Sequence, residues 1–131
     1  MRILPPTKIY VSHSPIHGLG VFASENIKEG EIIEECPYLD LGIPKGQPSS
    51  ILGDYRFNWP QGNEWELQVL GLGWGSLYNH SDNPNATWRS NFINNTFEFF
   101  ATRDIQPQEE VLVWYGGVDY WNDGRTHTNV I

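Results

Sequence analysis

The chain consists largely of short apolar segments, and almost none of them has the residue spacing of an amphipathic helix. The segments are rich in isoleucine, valine and aromatic residues and are bounded by glycine, proline or asparagine, which is typical of β-strands joined by turns. The predicted strands are Lys8–His13, Gly20–Ala23, Glu31–Leu39, Thr87–Phe92, Thr96–Thr102 and Glu110–Tyr115. We therefore predict a mainly β fold with one or two short helical turns, one of them within Ile51–Trp59.

Two segments of the chain resemble each other. Phe22–Ile33 aligns with Phe100–Val111, with identical phenylalanine, alanine, isoleucine and glutamate residues at matching positions. Each segment reads as a strand that ends in Phe-Ala, a polar turn, and a strand that restarts after a carboxylate. An internal duplication and two similar but independent β connections explain this likeness equally well.

Length and composition predict one domain. The 131 residues, 39% hydrophobic and 14% aromatic, suit a single small core. We expect this domain to span residues 1–131, with its core between about residues 8 and 121 and a frayed tail at 122–131. Cys36 is the only cysteine, which excludes an internal disulfide and a cysteine-based zinc cluster within this chain.

The charge balance indicates the kind of partner. The chain has 16 acidic against 8 basic residues, a formal charge of -8, which disfavours nucleic acid and favours a cationic partner such as a lysine-rich tail. The N-terminus lacks the pattern of a signal peptide, and no apolar run approaches the roughly 20 residues that cross a bilayer. We therefore expect a soluble intracellular protein that does not bind a membrane.

The first motif that could carry chemistry is His17-Gly18-Leu19-Gly20. Two glycines at this spacing let the backbone approach a ligand and expose N–H groups to a carboxylate or phosphate. A third glycine and a following helix are missing, so a dinucleotide-binding fold fits poorly. A plain tight turn is the alternative.

The second motif is the polar run from Asn79 to Asn85, which follows an apolar stretch. Asn79 and His80 offer donors and acceptors to a polar ligand, although an ordinary surface turn would have the same composition. His80 lacks partners at zinc-ligand spacing, so we predict no metal site.

The third motif is Glu109–Gly116, followed by Asp119-Tyr120-Trp121. Val111, Val113 and Tyr115 alternate with the intervening residues, so they share one face of the predicted strand. A strand that ends in a tyrosine before a glycine can present a phenol at a cleft. A tyrosine that merely covers the edge of a sheet is the alternative.

Together, the three motifs resemble the SET domain family in their order and spacing. The matching residues are Ser14–Ala23 with Ile27 and Gly30-Glu31, then Asn79-His80-Ser81 with Pro84-Asn85, then Phe100-Ala101, Ile105, Glu109-Glu110 and Tyr115-Gly116. Asp54-Tyr55 is similar to the family's intervening helix. The resemblance covers about residues 8–121, and in its length and lack of extra domains the chain is most similar to the short viral SET proteins.

The resemblance implies a fold of small twisted β-sheets in which the C-terminal segment passes through a loop to form a pseudoknot. This threading would bring the second and third motifs together although about 30 residues separate them, an exception to the usual unthreaded connections.

The resemblance also implies an activity, the transfer of a methyl group from S-adenosylmethionine to a protein lysine. The implied cofactor-binding residues are His17, Gly18, Leu19, Gly20, Asn79, His80, Tyr115, Tyr120 and Trp121. The implied substrate channel is lined by Tyr55, Tyr78, Val113, Tyr115 and Tyr120. A lysine amine with a pKa of about 10.4 must lose its proton before it attacks, and an aromatic channel beside a sulfonium disfavours its charged form. Tyr115 and Tyr55 are the predicted catalytic residues, and they act by orientation and electrostatics because a tyrosine of ordinary pKa is a poor base.

Four features depart from the family pattern. Gln108 stands where the family usually has glycine, and it is strained by about 1 kcal/mol if that position needs a positive φ. Gly116–Trp121 is one residue longer than expected, and Val113 replaces an aromatic residue that often tunes the number of methyl groups. A cysteine-rich zinc segment is absent, which leaves closure of the substrate site to Tyr120–Ile131 or to a second copy in a homodimer.

The predicted partner is a lysine-containing basic protein, with a histone-like tail as one candidate; a histone substrate would place the protein in the nucleus and another substrate in the cytoplasm. Two alternatives stay open: a SET-like domain that binds without catalysis, and an aromatic-rich β module that binds peptide or carbohydrate through some of its six tryptophans.

Overall fold

The computed structural model describes residues 2–41, 56–59 and 67–114, and all structural statements below concern these residues. Several predicted features lie outside them, namely the tail at 122–131, the start of the predicted helical turn and four site residues, Tyr55, Tyr115, Tyr120 and Trp121.

The described part of the chain consists of β-strands and turns. Its strands are β1 (Ile9–His13), β2 (Leu19–Ala23), β3 (Ile32–Cys36), β4 (Tyr38–Asp40), β5 (Arg56–Trp59), β6 (Leu67–Gly71), β7 (Asn79–His80), β8 (Ala86–Asn91), β9 (Thr96–Ala101) and β10 (Glu110–Val113). They form three small sheets with the orders β1-β2-β10-β7, β3-β9-β8 and β4-β6-β5. This arrangement confirms the predicted mainly β fold.

Each of the six predicted strands overlaps an observed strand, but one of them is divided in two, and β5, β6 and β7 were not predicted. Glu31–Leu39 is divided at Pro37 into β3 and β4, because proline has no N–H for the ladder; its carbonyl instead accepts a hydrogen bond from Leu72 N at 2.8 Å. The helical turn predicted within Ile51–Trp59 is wrong for Arg56–Trp59, which forms β5 and pairs antiparallel with β6. Packing explains this strand, since Phe57 and Trp59 contact the core ring of Phe97 at 5.0 and 5.5 Å between centroids.

The core is built around strand β9, the middle strand of its sheet. Phe97, Phe99 and Ala101 alternate along β9 and are at most 1% exposed. Trp88 meets Phe97 edge to face at 4.8 Å, and Tyr78 stacks on Phe99 at 4.3 Å. The aromatic residues therefore join the sheets into one hydrophobic cluster.

The two similar segments pair with each other about a local two-fold axis. Ile27 and Ile105 exchange both backbone hydrogen bonds, at 2.9 and 2.8 Å. The bond from Ala23 N to Glu109 O is matched by the bond from Ala101 N to Glu31 O, with lengths of 2.9 and 3.0 Å. The likeness in sequence is thus a likeness in backbone structure, and it sets where β10 begins.

The equivalent turns also share a position with positive φ. Gly30 has φ of 84° and Gln108 has φ of 73°, both in the left-handed region. Gln108 was predicted to be strained if its position needs a positive φ, and the structure confirms that φ is positive there. The Gln108 side chain is held by the Tyr10 hydroxyl, which donates to its Oε1 at 2.7 Å.

Candidate active site

The candidate site lies where strand β10 joins the three sequence motifs. β10 pairs antiparallel with β2, which carries the first motif, and parallel with β7, which carries the second. In the parallel pair Leu112 lies opposite Asn79 and Val113 opposite His80. The expectation that the second and third motifs come together is therefore confirmed, whereas the implied threading of the C-terminal segment lies outside the described residues.

Asn79 connects all three motifs through its side-chain amide. The two N–H groups of its Nδ2 are shared among three acceptors, the carbonyl oxygens of His17 and Leu19 at 3.0 and 3.2 Å and Glu110 Oε2 at 3.0 Å. The side chain is only 6% exposed, so these hydrogen bonds replace those that water would make. Asn79 therefore fixes the path of the 17–19 backbone relative to β10.

Gly20 allows this close approach. A Cβ atom built on Gly20 would overlap Glu110 Oε2 and would lie 3.1 Å from Asn79 Nδ2. The second glycine of the first motif is therefore favoured by space rather than by φ, because a side chain at this position would displace the Glu110 carboxylate. Gly18, by contrast, has φ of 48° with open space around it, so its backbone conformation is what favours glycine.

Glu110 is a site residue to which the sequence analysis gave no separate role. Its Oε1 accepts from the Ser14 hydroxyl at 2.9 Å and its Oε2 accepts from Asn79. No lysine or arginine among the described residues pairs with this carboxylate, so it leaves negative charge in the site. The sequence signal that could have identified Glu110 is its place as the first residue of the predicted strand Glu110–Tyr115.

Asn85 holds β10 along the edge that does not pair with β2. Its Oδ1 accepts from Leu112 N at 2.8 Å and its Nδ2 donates to Glu110 O at 2.9 Å. The side chain is 1% exposed and substitutes for a strand partner along β10. We assign it a structural part in the site, since it positions the strand.

His80 lies at the end of β7 with its side chain 11% exposed. Its Nε2 lies 2.9 Å from Asp82 Oδ1 on the following turn. The ring orientation is therefore set in part by an exposed carboxylate two residues away.

The remaining described site residues divide into surface and interior positions. Leu19 is 45% exposed and His17 is partly exposed beside it. Tyr78 and Val113 are each 2% exposed, and the Tyr78 hydroxyl donates to Glu34 Oε1 at 2.7 Å. The places of Tyr78 and Val113 in a substrate channel stay predictions, because that channel would be completed by residues outside the described ranges.

Comparison with known proteins identifies the class. The family model of the SET domain matches residues 18–116, and the chain belongs to the SET domain family. It is 32% identical over 109 residues to a histone-lysine N-methyltransferase of Schizosaccharomyces pombe described as specific for lysine 37 of histone H3, with 81% of this chain and 71% of the relative aligned.

The chain is also similar to a crystal structure of a candidate histone methyltransferase from Plasmodium falciparum. The two share 38% sequence identity with a TM-score of 0.66, over 83% of this chain and 93% of the other. Family membership and these relatives support lysine methyl transfer as the activity of this chain. The viral subtype suggested by the sequence is not tested by them and stays a prediction.

The described residues fit the methyl donor that the family uses. Asn79 Oδ1 is an acceptor on a buried side chain, and it receives no hydrogen bond from any described residue. Together with the unneutralised Glu110 carboxylate, it offers an electronegative surface that suits the cationic groups of S-adenosylmethionine. In the described part of the chain, no helix is long and apolar enough to cross a membrane.

Proposed function

We propose that this chain transfers a methyl group from S-adenosylmethionine to the side-chain amine of a lysine in a histone-like basic tail. The observation that carries the proposal is the hydrogen-bonded junction of Asn79, Glu110 and the 17–19 backbone. It unites residues from three distant motifs around one buried amide, and the family match over residues 18–116 covers these motifs except for His17.

Each part of the junction has a binding role. The His17–Gly20 backbone and Asn79 hold the amino-acid end of the donor, and His80 with Tyr120 and Trp121 binds its adenosine portion. S-adenosylmethionine supplies the methyl group when bound. The chain's residues orient the lysine amine and exclude water from it.

Tyr115 and Tyr55 carry the catalytic roles in this proposal. The lysine amine must be neutral to attack, and burial beside tyrosine rings disfavours its protonated form. The tyrosine faces accept the alkyl stem of lysine, while a hydroxyl directs the lone pair of the amine. Tyr115 therefore acts by orientation, with Tyr55, Tyr78, Val113 and Tyr120 lining the same channel.

The acidic character of the chain favours a cationic substrate. The formal charge of -8 steers a lysine-rich tail toward the surface and disfavours direct binding of nucleic acid. We accordingly propose a histone as the first substrate class to test, with the nucleus as the compartment. A homodimer, in which a second copy closes the substrate site, is part of the same proposal.

The test of the activity is methyl transfer to histone peptides followed by mass spectrometry. The wild-type chain should add 14 Da increments to lysine. Tyr115→Phe removes one orienting hydroxyl, and we expect it to lower the methylation rate by about 100-fold. The unfolding temperature of Tyr115→Phe should equal that of the wild type, which serves as the folding control.

Three results would contradict the proposal. A wild-type rate in Tyr115→Phe would remove the role assigned to that hydroxyl. Cofactor binding without transfer to any lysine peptide would favour the non-catalytic SET-like domain. Binding of a carbohydrate would favour an aromatic module, for which Trp74 and Trp114, 41% and 56% exposed, are the described candidates.

A further inference from the structure

Glu34 is a buried carboxylate that the proposed reaction does not use. It lies in β3, it is 4% exposed, and no lysine, arginine or histidine among the described residues forms an ion pair with it. Burial raises the pKa of Glu34, against the opposing effect of its hydrogen bonds from Trp74 N and Tyr78. A buried carboxylate without a cationic partner costs folding free energy even when it accepts hydrogen bonds, so stability alone does not explain its presence.

The hydrogen bonds of Glu34 go to both ends of one turn. Its Oε2 accepts from Trp74 N at 2.9 Å, and its Oε1 accepts from the Tyr78 hydroxyl at 2.7 Å. Gly73, with φ of 65°, brings the backbone so close that a Cβ built there would lie 2.5 Å from Oε2. The turn that leads into the Asn79-His80 motif is therefore shaped around this carboxylate.

Tyr78 transmits this constraint to the site. It immediately precedes Asn79, it is 2% exposed, and its ring is stacked on Phe99 at 4.3 Å. With both its ring and its hydroxyl held, Tyr78 sets the position at which β7 begins. Successive side chains of a strand point to opposite faces, so the Asn79 amide is directed toward β2 and β10.

We propose that Glu34 is a positioning residue for the cofactor site, which acts through Tyr78 and Trp74 to set the place of Asn79. The inference rests on the proposed function only where cofactor binding is the measurement. Glu34 itself lies in the interior and is hydrogen-bonded to Tyr78, the residue that precedes Asn79. It touches neither substrate nor cofactor.

The decisive variant is Glu34→Gln, which keeps the shape and removes the charge. One amide oxygen cannot accept from Trp74 N and from the Tyr78 hydroxyl in the way that two carboxylate oxygens do. Glu35→Gln is the matched control, because Glu35 is the next residue in β3 and its Oε2 accepts from Asn94 and Thr96 at the β8–β9 hairpin instead.

Calorimetric titration with S-adenosylhomocysteine gives the first measurement. Glu34→Gln should bind about fivefold to tenfold more weakly than the wild type, the range expected for one lost hydrogen bond, whereas Glu35→Gln should bind equally well. The unfolding temperature of Glu34→Gln at neutral pH should stay close to that of the wild type, because removal of the desolvation penalty of the charge offsets the lost hydrogen bond.

The pH dependence separates positioning from ordinary stabilisation. The folded pKa of Glu34 is raised above the ordinary value of 4.5, so its favourable contribution is present at low pH and is lost as pH rises through the folded pKa. The stability of Glu34→Gln relative to the wild type should therefore decrease as pH falls from about 7 toward 4.5. The neighbouring Tyr78 and Cys36 do not titrate in this window, because burial and the Glu34 charge raise the pKa of both.

A cofactor-independent measurement keeps the inference testable if the proposed function fails. The two side-chain N–H signals of Asn79 in a nitrogen-15 NMR spectrum report the hydrogen bonding of this amide. In Glu34→Gln these signals should shift and exchange faster with solvent, while signals of the β8–β9 hairpin stay in place. A wild-type chain that binds no S-adenosylhomocysteine, together with shifted Asn79 signals in the variant, would reject the proposed function and support the role of Glu34.

Two outcomes would overturn the inference. One is wild-type affinity and unmoved Asn79 signals in Glu34→Gln. The other is a fall in affinity that only parallels a fall in unfolding temperature, because that result would make Glu34 a general contributor to the fold.

Discussion

Gln108 shows how a single residue departs from what its backbone favours. It occupies the turn that leads into β10 with φ of 73°, and its symmetry-related counterpart at the other turn is Gly30, with φ of 84°. The Tyr10 hydroxyl bonds its side chain, which offsets part of the strain. The sequence pattern indicated this conflict, because glycine is usual at that place in the family.

Gln108→Gly and Gln108→Ala together isolate the strain. Both variants lose the hydrogen bond from Tyr10, but only glycine adopts the positive φ without cost. We expect the glycine variant to be about 1 kcal/mol more stable than the alanine variant in urea unfolding. An alanine variant as stable as the glycine variant would contradict this account of the turn.

At the scale of single residues, the sequence identified Asn79 and Gly20 but not the reasons for them. Glycine spacing indicated a close approach of backbone, yet the group approached is the Glu110 carboxylate, 90 positions away in the chain. The partner of a side chain depends on strand register, and one sequence does not determine register between strands so far apart. The roles of Glu110 and Glu34 were missed for that reason.

Strand β10 is the element on which the site depends. It has only four residues, and it is held by β2 on one side and by β7 and Asn85 on the other. Alternation along the strand was predicted correctly, since Val111 and Val113 are buried while Trp114 is exposed. β7 was not predicted, because two residues are too few to show a period.

Asn85→Leu tests this dependence. The substitution preserves the approximate size of the side chain but leaves Leu112 N and Glu110 O without their partner. Each unsatisfied buried group costs about 1–3 kcal/mol, so we expect a loss of about 2–4 kcal/mol in unfolding free energy. The exposed neighbour Asn83, changed to alanine, should alter stability by less than about 0.5 kcal/mol.

The Asn85→Leu experiment has a clear contrary result. A stability within about 0.5 kcal/mol of the wild type would show that β10 is held by its strand partners alone. Asn85 would then have no special part in the site.

At the scale of the whole molecule, the fold brings distant motifs together by pairing strands across nearly the full length of the chain. Ser14 and Glu110 are joined by a hydrogen bond although 96 positions separate them. The local two-fold about Ile27 and Ile105 fixes the start of β10 opposite β2. The order of motifs in the sequence was informative because it reflects this topology. The β5–β6 pairing was not predicted, because it depends on aromatic packing between residues that are far apart in the sequence.

The junction around Asn79 is proposed to bind S-adenosylmethionine, and calorimetric titration of the purified chain with S-adenosylhomocysteine measures this binding without knowledge of the substrate. We expect saturable binding at one site in the wild type and, because Asn79→Ala removes a buried polar side chain, a loss of about 10-fold or more in affinity in that variant. Circular dichroism should show that the variant is folded. Absence of binding to a folded wild-type chain, or equal affinity in Asn79→Ala, would contradict this proposal.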